Sequence, residues 1–428
     1  MRILVYPHDL GIGGSQLNAI ELASAVQRLG HDVVVYGRPG PLNRRIEELG
    51  LEFIPSPEPH RRPTPSVVKA LVQLGRERKI DIMHGYEWPP ALESLLASRR
   101  SPGTAAVATV MSMSVAPFIP KSMPLMVGTQ EILKTEQEFG RTLAALLEPP
   151  VDLEANNPSW DVAEQAFPRS WGLDPAAYTV VLVSRLAAEL KLEGILAAID
   201  GVGLLSKEFR VQLVVAGDGP ARHLVEGHAR TVNAASGRQV IVLTGELEDP
   251  RAAYAVADVA LGMGGSALRA LAFAKPLIVQ GERGFWELLT PDSLPLFLEQ
   301  GWYGVGSGTQ GGAERLAQLL RGLLVDESRR KTLGSFGLST VRERFSLTRA
   351  ALVLEDFYSQ AIESSGEVSI GQDMSALARF VGYQLTTRLR RVLGPTPADD
   401  FNSRPVAGRG QASRALDAPA SRQASPRR

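Results

Sequence analysis

The chain has 428 residues, 44% of them hydrophobic, and its 46 basic and 46 acidic side chains give a formal net charge of zero. This balance excludes the strongly basic class of nucleic-acid-binding proteins, and the length allows two domains and a tail. The absence of cysteine excludes disulfides and thiolate metal sites and favours the cytoplasm. The first residues lack the apolar core of a secretion signal, and no run reaches the roughly 18–20 residues of a membrane span.

Strands alternate with helices through the first part of the chain. Hydrophobic periodicity predicts strands at residues 2–6, 31–36, 51–54, 80–85, 105–111 and 124–129, and helices at 16–29, 44–49, 67–78 and 91–98. Such alternation is typical of a parallel sheet covered by helices on both faces. The turn at 11–16 does not match the dinucleotide fingerprint, and no acidic residue ends the second strand, so we expect no nicotinamide or flavin site.

A second α/β series begins after a segment rich in proline and asparagine at 149–175. It predicts strands at 178–183, 212–216, 240–243, 257–261 and 276–280, and helices at 193–205, 221–235, 313–325, 328–345 and 347–363. We therefore expect domains at 1–165 and 166–345, followed by C-terminal helices over 346–393. The composition of 394–428, with almost no large apolar side chains, predicts disorder.

The stretch from Gly262 to Glu287 predicts a strand, a glycine turn, a helix and a second strand. Gly264 and Gly265 let backbone N–H groups approach an anion, and the helix that follows adds the positive end of its dipole. Ser266 is a candidate N-cap of that helix. The turn therefore indicates a phosphate or diphosphate site, although glycines in such turns also serve packing.

Residues 375–393 predict an amphipathic helix with several arginines. Its apolar positions fit packing against the protein, and they also fit peripheral contact with a membrane surface. Both interpretations stay open at this stage.

Several motifs occur in a characteristic order. Arg185 and Lys191 follow the strand at 178–183, the turn Gly217–Pro220 follows the next strand, and the segment Leu268–Pro276 follows the glycine turn. Near the start, Gly13 and Gly14 precede a helix, and Gly30–Val33 follows it. Over about residues 1–360 this ordered set resembles the retaining glycosyltransferases of family 4. Their GT-B fold has two Rossmann-like domains facing across a cleft.

The resemblance implies a role for each matching position. Arg185 and Lys191 match the basic pair that binds the diphosphate of a nucleotide sugar, which would be UDP- or GDP-linked. Two cations beside a helix start can neutralise a diphosphate leaving group, so neither a metal nor a cofactor is implied. Gly13 and Gly14 match the loop that approaches the donor, and Gly217 lies in a turn near the nucleotide. Lys191 lies one residue further from the arginine than is usual.

The sequence departs from the family at three places. The family's two glutamates around the glycine turn are replaced by Leu261 and Arg269. Arginine has no hydrogen-bond acceptor, so Arg269 cannot accept from ribose hydroxyls, but it can bind a phosphate. The family's first-domain histidine is also missing, which leaves His84 and Glu87 as candidates on the acceptor side.

Three further side chains are weaker candidates for the site. Glu287 resembles the family's late glutamate, and Glu282 and Glu287 are candidates for contact with donor sugar hydroxyls. His8 lies in the first loop.

Three functions fit these observations. The first is transfer of a sugar from a nucleotide sugar to an acceptor that the sequence does not name. The second is a catalytically degenerate binding or partner subunit, which Leu261 and Arg269 motivate. The third is an epimerase or hydrolase on the same fold, which is disfavoured because His223 and His228 lie on a helix away from the turn.

Overall fold

Two sheets, one from each half of the chain, form the framework of the structure. The computed structural model describes residues 1–59, 62–159, 166–364 and 370–393, with side chains over 374–386 in the last range. The predicted tail at 394–428 and the predicted domain boundary at residue 165 lie outside the described residues.

The first half builds a seven-stranded parallel sheet in the order β3-β2-β1-β4-β5-β6-β7. Its elements are β1 (Arg2–Tyr6), α1 (Gly14–Arg28), β2 (Asp32–Gly37), α2 (Asn43–Glu48), β3 (Glu52–Pro55), α3 (Pro65–Glu77), β4 (Ile82–Tyr86), α4 (Trp88–Ser98), β5 (Ala105–Val110), β6 (Leu125–Val127), α5 (Gln130–Glu138) and β7 (Ala144–Leu146). β4 and β5 are buried along their whole length, as expected for strands covered on both faces.

The second half builds a six-stranded sheet in the order β10-β9-β8-β11-β12-β13, in which only the edge strand β13 is antiparallel. Its elements are α6 (Ala166–Ser170), β8 (Tyr178–Val183), α7 (Leu192–Leu205), β9 (Val211–Ala216), α8 (Arg222–Ser236), β10 (Ile241–Gly245), α9 (Arg251–Ala255), β11 (Val259–Gly262), α10 (Gly264–Ala272), β12 (Leu277–Gln280), β13 (Trp286–Leu288), α11 (Leu294–Gln300), α12 (Gly312–Leu324) and α13 (Glu327–Arg344). The predicted α/β class is confirmed.

Two final helices return to the first half. In α14 (Leu347–Ser364), Leu354, Phe357 and Tyr358 join the core that contains Ile20 of α1. The chain crosses between the halves at Val151, whose backbone exchanges hydrogen bonds with Phe345 and Leu347 at 2.8 and 3.0 Å. The C-terminal helices therefore complete the first core rather than forming a separate layer.

The last helix, α15 (Ile370–Leu393), lies against α4 and the loop after β5. Phe380 and Tyr383 pack on Phe118, with ring centroids 5.2 and 4.9 Å apart, and both also contact Trp88. One face of the helix is thus held on the protein. Within the described ranges, no helix has the length and apolar character needed to cross a bilayer.

Candidate functional site

The loops predicted to bind the donor meet at one edge of the second sheet. β8, β11 and β12 are neighbouring parallel strands, so their carboxyl ends lie together. The loop 184–191 follows β8, the glycine turn follows β11, and Gln280 is the last residue of β12. Ligands of open α/β sheets bind at this edge.

Gly217 lets the turn after β9 pack against the loop that carries Arg185. Its φ is +148°, and a Cβ there would lie 2.0 Å from the carbonyl oxygen of Ser184. Gly219, with φ +156°, makes a similar approach to Leu186, whose N–H donates to Asp218 at 2.9 Å. The structure therefore gives Gly217 a packing role, and its predicted contact with the donor stays a prediction.

Arg185 and Lys191 are two neighbouring cations without an anionic partner. Arg185 is exposed and Lys191 is half-buried, and neither forms an ion pair with any described residue. Burial, and then the nearby charge of Arg185, lower the pKa of Lys191 to about 8. Like charges held together at a strand end favour an anionic ligand that neutralises both.

Gln280 fixes the backbone beside Lys191. It is fully buried, and its Nε2 donates to the carbonyl of Lys191 at 3.0 Å. A Cβ at Gly194 would lie 2.3 Å from that nitrogen, so only glycine leaves room for this contact. This packing explains why a glycine is needed at position 194.

The glycine turn is capped differently from the prediction. The helix α10 begins at Gly264, with Met263 as N-cap, so Ser266 is the third helical residue rather than the N-cap. The Oγ of Ser266 accepts from the N–H of Met263 at 3.3 Å and donates to the carbonyl of the same residue at 3.0 Å. The N–H of Gly264 is also used, because it donates to the carbonyl of Trp302 at 2.9 Å. The N–H of Gly265 donates to no described group.

Arg269 already has a carboxylate partner in the structure. Its Nη2 lies 3.3 Å from Oε2 of Glu21 on α1, and the two side chains are 14% and 9% exposed. Arg269 is therefore not a free cation, and its predicted contact with the diphosphate stays a prediction. Leu261, at the other departed position, is part of the second core.

Two predicted glutamates have protein partners. Glu287 lies on the edge strand β13 and pairs with Arg315 of α12 at 3.1 Å. Glu282 accepts a hydrogen bond from the hydroxyl of Tyr303. No contact joins Glu287 to Arg185, Lys191 or the glycine turn within the described part of the chain. The structure thus does not bring Glu287 together with the cation pair.

The prediction of a catalytic His84 is wrong. Its side chain is fully buried, and its ring nitrogens lie 2.8 Å from the Tyr358 hydroxyl and 2.7 Å from the Thr109 hydroxyl. Burial lowers its pKa to about 3, so the ring is neutral at physiological pH. A neutral, enclosed imidazole joins α14 to the first sheet and cannot reach an acceptor.

Glu87 occupies the corresponding edge of the first sheet. It adopts φ +66° directly after β4. Its carboxylate accepts from the hydroxyl of Ser15 and from the N–H and hydroxyl of Ser112, at 2.8–3.2 Å. Burial raises its pKa despite these donors. A strained, buried acid that joins three loops at a cleft edge is typical of a functional site.

The first loop lies beside Glu87. Gly13 is the N-cap of α1, and a Cβ at Gly14 would meet no atom within 4 Å. His8 lies 3.1 Å from both Asp9 and Gln16. The loop therefore presents an open backbone at Gly14 next to a polar cluster. The described residues contain no group of three or more His, Asp or Glu side chains placed to hold a metal ion.

Comparison with known proteins identifies the family. Residues 12–125 match the family model described as Glycosyltransferase Family 4, and residues 177–322 match that described as Glycosyl transferases group 1. The two matches together cover more than half of the chain. The chain is a glycosyltransferase of family 4. No curated protein sequence matches it.

Solved structures confirm the GT-B fold of this glycosyltransferase. A glycosyltransferase from Rickettsia africae has a TM-score of 0.68 at 17% identity, covering 84% of this chain and 98% of its own. Anabaena Alr3699/HepE in complex with UDP has a TM-score of 0.66 at 14% identity, covering 84% and 100%. The catalytic domain of starch synthase IV from Arabidopsis thaliana, bound to ADP and acarbose, has a TM-score of 0.61 at 14% identity, covering 85% and 99%.

Proposed function

We propose that this glycosyltransferase transfers a sugar from a UDP- or GDP-linked donor to an acceptor bound on the first half, with retention at the anomeric carbon. The observation that carries the proposal is the pair Arg185 and Lys191, two cations at the carboxyl edge of the second sheet that have no anionic partner among the described residues. The UDP complexes of the Anabaena relative support a nucleotide donor.

The chemistry follows from where charge develops. When the bond between the anomeric carbon and the diphosphate oxygen breaks, that oxygen gains negative charge. We expect Arg185 and Lys191 to stabilise this charge, because neither has an anionic partner among the described residues that the diphosphate would have to displace. The N–H of Gly265 adds a donor at the start of α10. We propose that the loop at Gly14 approaches the donor and that Glu87 holds the acceptor hydroxyl on the face of the sugar from which the diphosphate leaves. The acceptor oxygen then forms the new bond to the anomeric carbon with retention, and its proton passes to the departing diphosphate oxygen.

A second candidate function, a non-catalytic binding subunit, is favoured by one observation. Leu261 is buried and Arg269 is paired with Glu21, so neither departed position offers a free carboxylate. An epimerase or hydrolase has less support, because His228 of α8 is already paired with Asp200 of α7. The three functions differ in what they do to a nucleotide sugar.

Turnover of UDP- and GDP-sugars, measured with and without an acceptor mixture, separates them. Transfer predicts release of nucleoside diphosphate that requires acceptor. Release without acceptor indicates a hydrolase, and interconversion of the sugar indicates an epimerase. Binding of the diphosphate without any turnover favours the degenerate subunit and overturns the transferase proposal.

We also propose peripheral contact of residues 375–393 with an anionic membrane surface. The face of α15 opposite Phe380 and Tyr383 carries an exposed apolar row at helical spacing, Met374, Leu377, Val381 and Leu385, each about half exposed or more. Residues 374–398 contain four arginines and no acidic residue. Apolar exposure combined with positive charge fits an anionic lipid surface rather than water.

Vesicle sedimentation tests the membrane proposal. We expect the full chain to bind phosphatidylglycerol vesicles and not phosphatidylcholine vesicles, and the triple variant Leu377→Ser, Val381→Ser, Leu385→Ser to lose binding. Val325→Ser, a change at a residue that is 69% exposed directly after α12, is the control and keeps binding. Equal binding of phosphatidylglycerol vesicles by the triple variant and the wild type contradicts the proposal.

A further inference from the structure

A buried ion pair crosses from one half of the protein to the other. Arg269 on α10 and Glu21 on α1 are both mostly buried. Two further ion pairs between the halves are more exposed: Arg44 and Glu248 are 67% and 69% exposed, and Arg344 and Glu148 are 34% and 15% exposed. Burying two charges costs solvation free energy, which their mutual attraction often does not offset, so a buried ion pair at this position calls for an explanation.

The pair lies against the glycine turn. Arg269 follows Gly265 by four residues on α10 and therefore shares its face of the helix. Nη1 of Arg269 lies 3.4 Å from where a Cβ on Gly265 would be, and its Nη2 contacts Glu21. The guanidinium thus folds back over the first turn of α10 and holds the Glu21 carboxylate there.

One oxygen of that carboxylate remains available. Oε2 of Glu21 accepts from Arg269, whereas Oε1 accepts from no described residue and keeps contact with solvent. An ionised carboxylate only accepts hydrogen bonds, so Oε1 is suited to a hydroxyl and not to a phosphate. Arg269 neutralises Glu21, which allows a carboxylate to lie near a bound diphosphate.

We propose that Glu21 recognises the nucleotide donor by accepting hydrogen bonds from its ribose hydroxyls, and that Arg269 is the positioning residue that holds it. This inference rests on the proposed function, because it requires a nucleoside diphosphate at the site. In this arrangement Arg185 and Lys191 neutralise the phosphates, and Glu21 accepts hydrogen bonds from the ribose hydroxyls next to them. The carboxylate comes from α1, so recognition of the donor also joins the two halves.

The test compares a nucleotide with its analogue that lacks the hydroxyls. The probes are whichever of UDP, GDP and ADP binds most tightly and its 2′,3′-dideoxy form. We expect the wild type to prefer the ribonucleotide about tenfold, the range of one charge-assisted hydrogen bond. The double variant Glu21→Met, Arg269→Met should lose this preference and bind the dideoxy analogue as the wild type does. Removing both charges together leaves neither buried alone, which favours folding.

Glu21→Gln provides a second variant that keeps the shape of the side chain. It should reduce the preference, because an amide oxygen is a weaker acceptor than a carboxylate. A preference that persists in both variants overturns the proposal, and so does a loss of affinity that is equal for both probes, which indicates a structural role alone. If none of the three nucleotides binds the wild type, the proposed function itself fails.

Discussion

At the scale of single residues, Lys191 is a cation whose charged form the fold disfavours. Burial and the neighbouring Arg185 lower its pKa to about 8, and no carboxylate in the described ranges offsets them. The sequence motif identified this pair correctly as neighbours, because both follow the same strand. It could not identify Glu21, which lies 248 positions from Arg269 and has only the pattern of a helical residue.

The pKa of Lys191 predicts how donor affinity depends on pH. Diphosphate binding needs the ammonium form, so affinity should fall as pH rises from 7 to 9, where Lys191 loses its proton. The free energy of unfolding should instead rise with pH above about 8, since there Lys191 keeps its proton in the unfolded chain and loses it in the native one. Calorimetry of UDP binding at pH 7, 8 and 9 checks this, and a profile that rises with pH contradicts it. Lys191→Ala should flatten the profile.

His84 is predicted to matter for stability and not for donor binding. His84→Ala removes the partner of the Tyr358 and Thr109 hydroxyls and leaves a cavity, so we expect a loss of about 2–4 kcal/mol. Urea unfolding measures the loss, and calorimetry should find UDP affinity unchanged. A His84→Ala variant that folds stably but has lost turnover would contradict this prediction and support a catalytic role for His84.

At the scale of elements, the sequence predicted the long strands and helices because their periodicity extends over several turns or alternations. It missed β7 and β13, which have three residues each, and the helices α5, α6 and α11, none of which is longer than nine residues. Elements this short span at most about two and a half helical turns, so their period is hard to recognise, and the pairing of short strands depends on distant parts of the chain. The N-cap at Ser266 was misplaced because a serine three residues inside a helix can also satisfy the cap.

The turn at Gly217 gives a prediction at this scale. Gly217→Ala places a methyl group against the Ser184 carbonyl in a φ region that favours glycine, so the loop that carries Arg185 should shift and UDP affinity should fall at least tenfold. Gly227→Ala, in the helix α8 with no atom near its added Cβ, is the control and should stabilise by up to about 1 kcal/mol. Equal affinities in the two variants would show that the packing at Ser184 does not position the site.

At the scale of the whole molecule, the first core is completed by the far end of the chain. Phe357 of α14 lies fully inside that core, and His84 holds the same helix through Tyr358. The sequence predicted α14 but not where it packs, because an amphipathic pattern does not name its partner. Because α14 fills part of the first core, the packing of this C-terminal helix contributes to the stability of the first half.

The packing of α14 predicts that substitutions on its inner and outer faces differ in their effect on stability. Phe357→Ala should destabilise the protein by about 3–5 kcal/mol, as for a large buried side chain. Leu352→Ala on the same helix, where the side chain is 51% exposed, should change stability little. Urea unfolding followed by tryptophan fluorescence measures both. Similar losses in the two variants would mean that α14 is not held by its inner face.

Metal-free calorimetry of UDP, GDP and ADP binding, with the wild type and with Lys191→Ala, tests the central claim most directly. The account predicts saturable binding of one nucleotide and a loss of about 1.5–3 kcal/mol in the variant, the range for a hydrogen bond to a charged group. Lys207→Ala, at an exposed lysine on the same half, is the matched control and should bind as the wild type does. A folded wild type that binds none of the three, or a Lys191→Ala variant that binds equally well, would contradict a donor site built on Arg185 and Lys191.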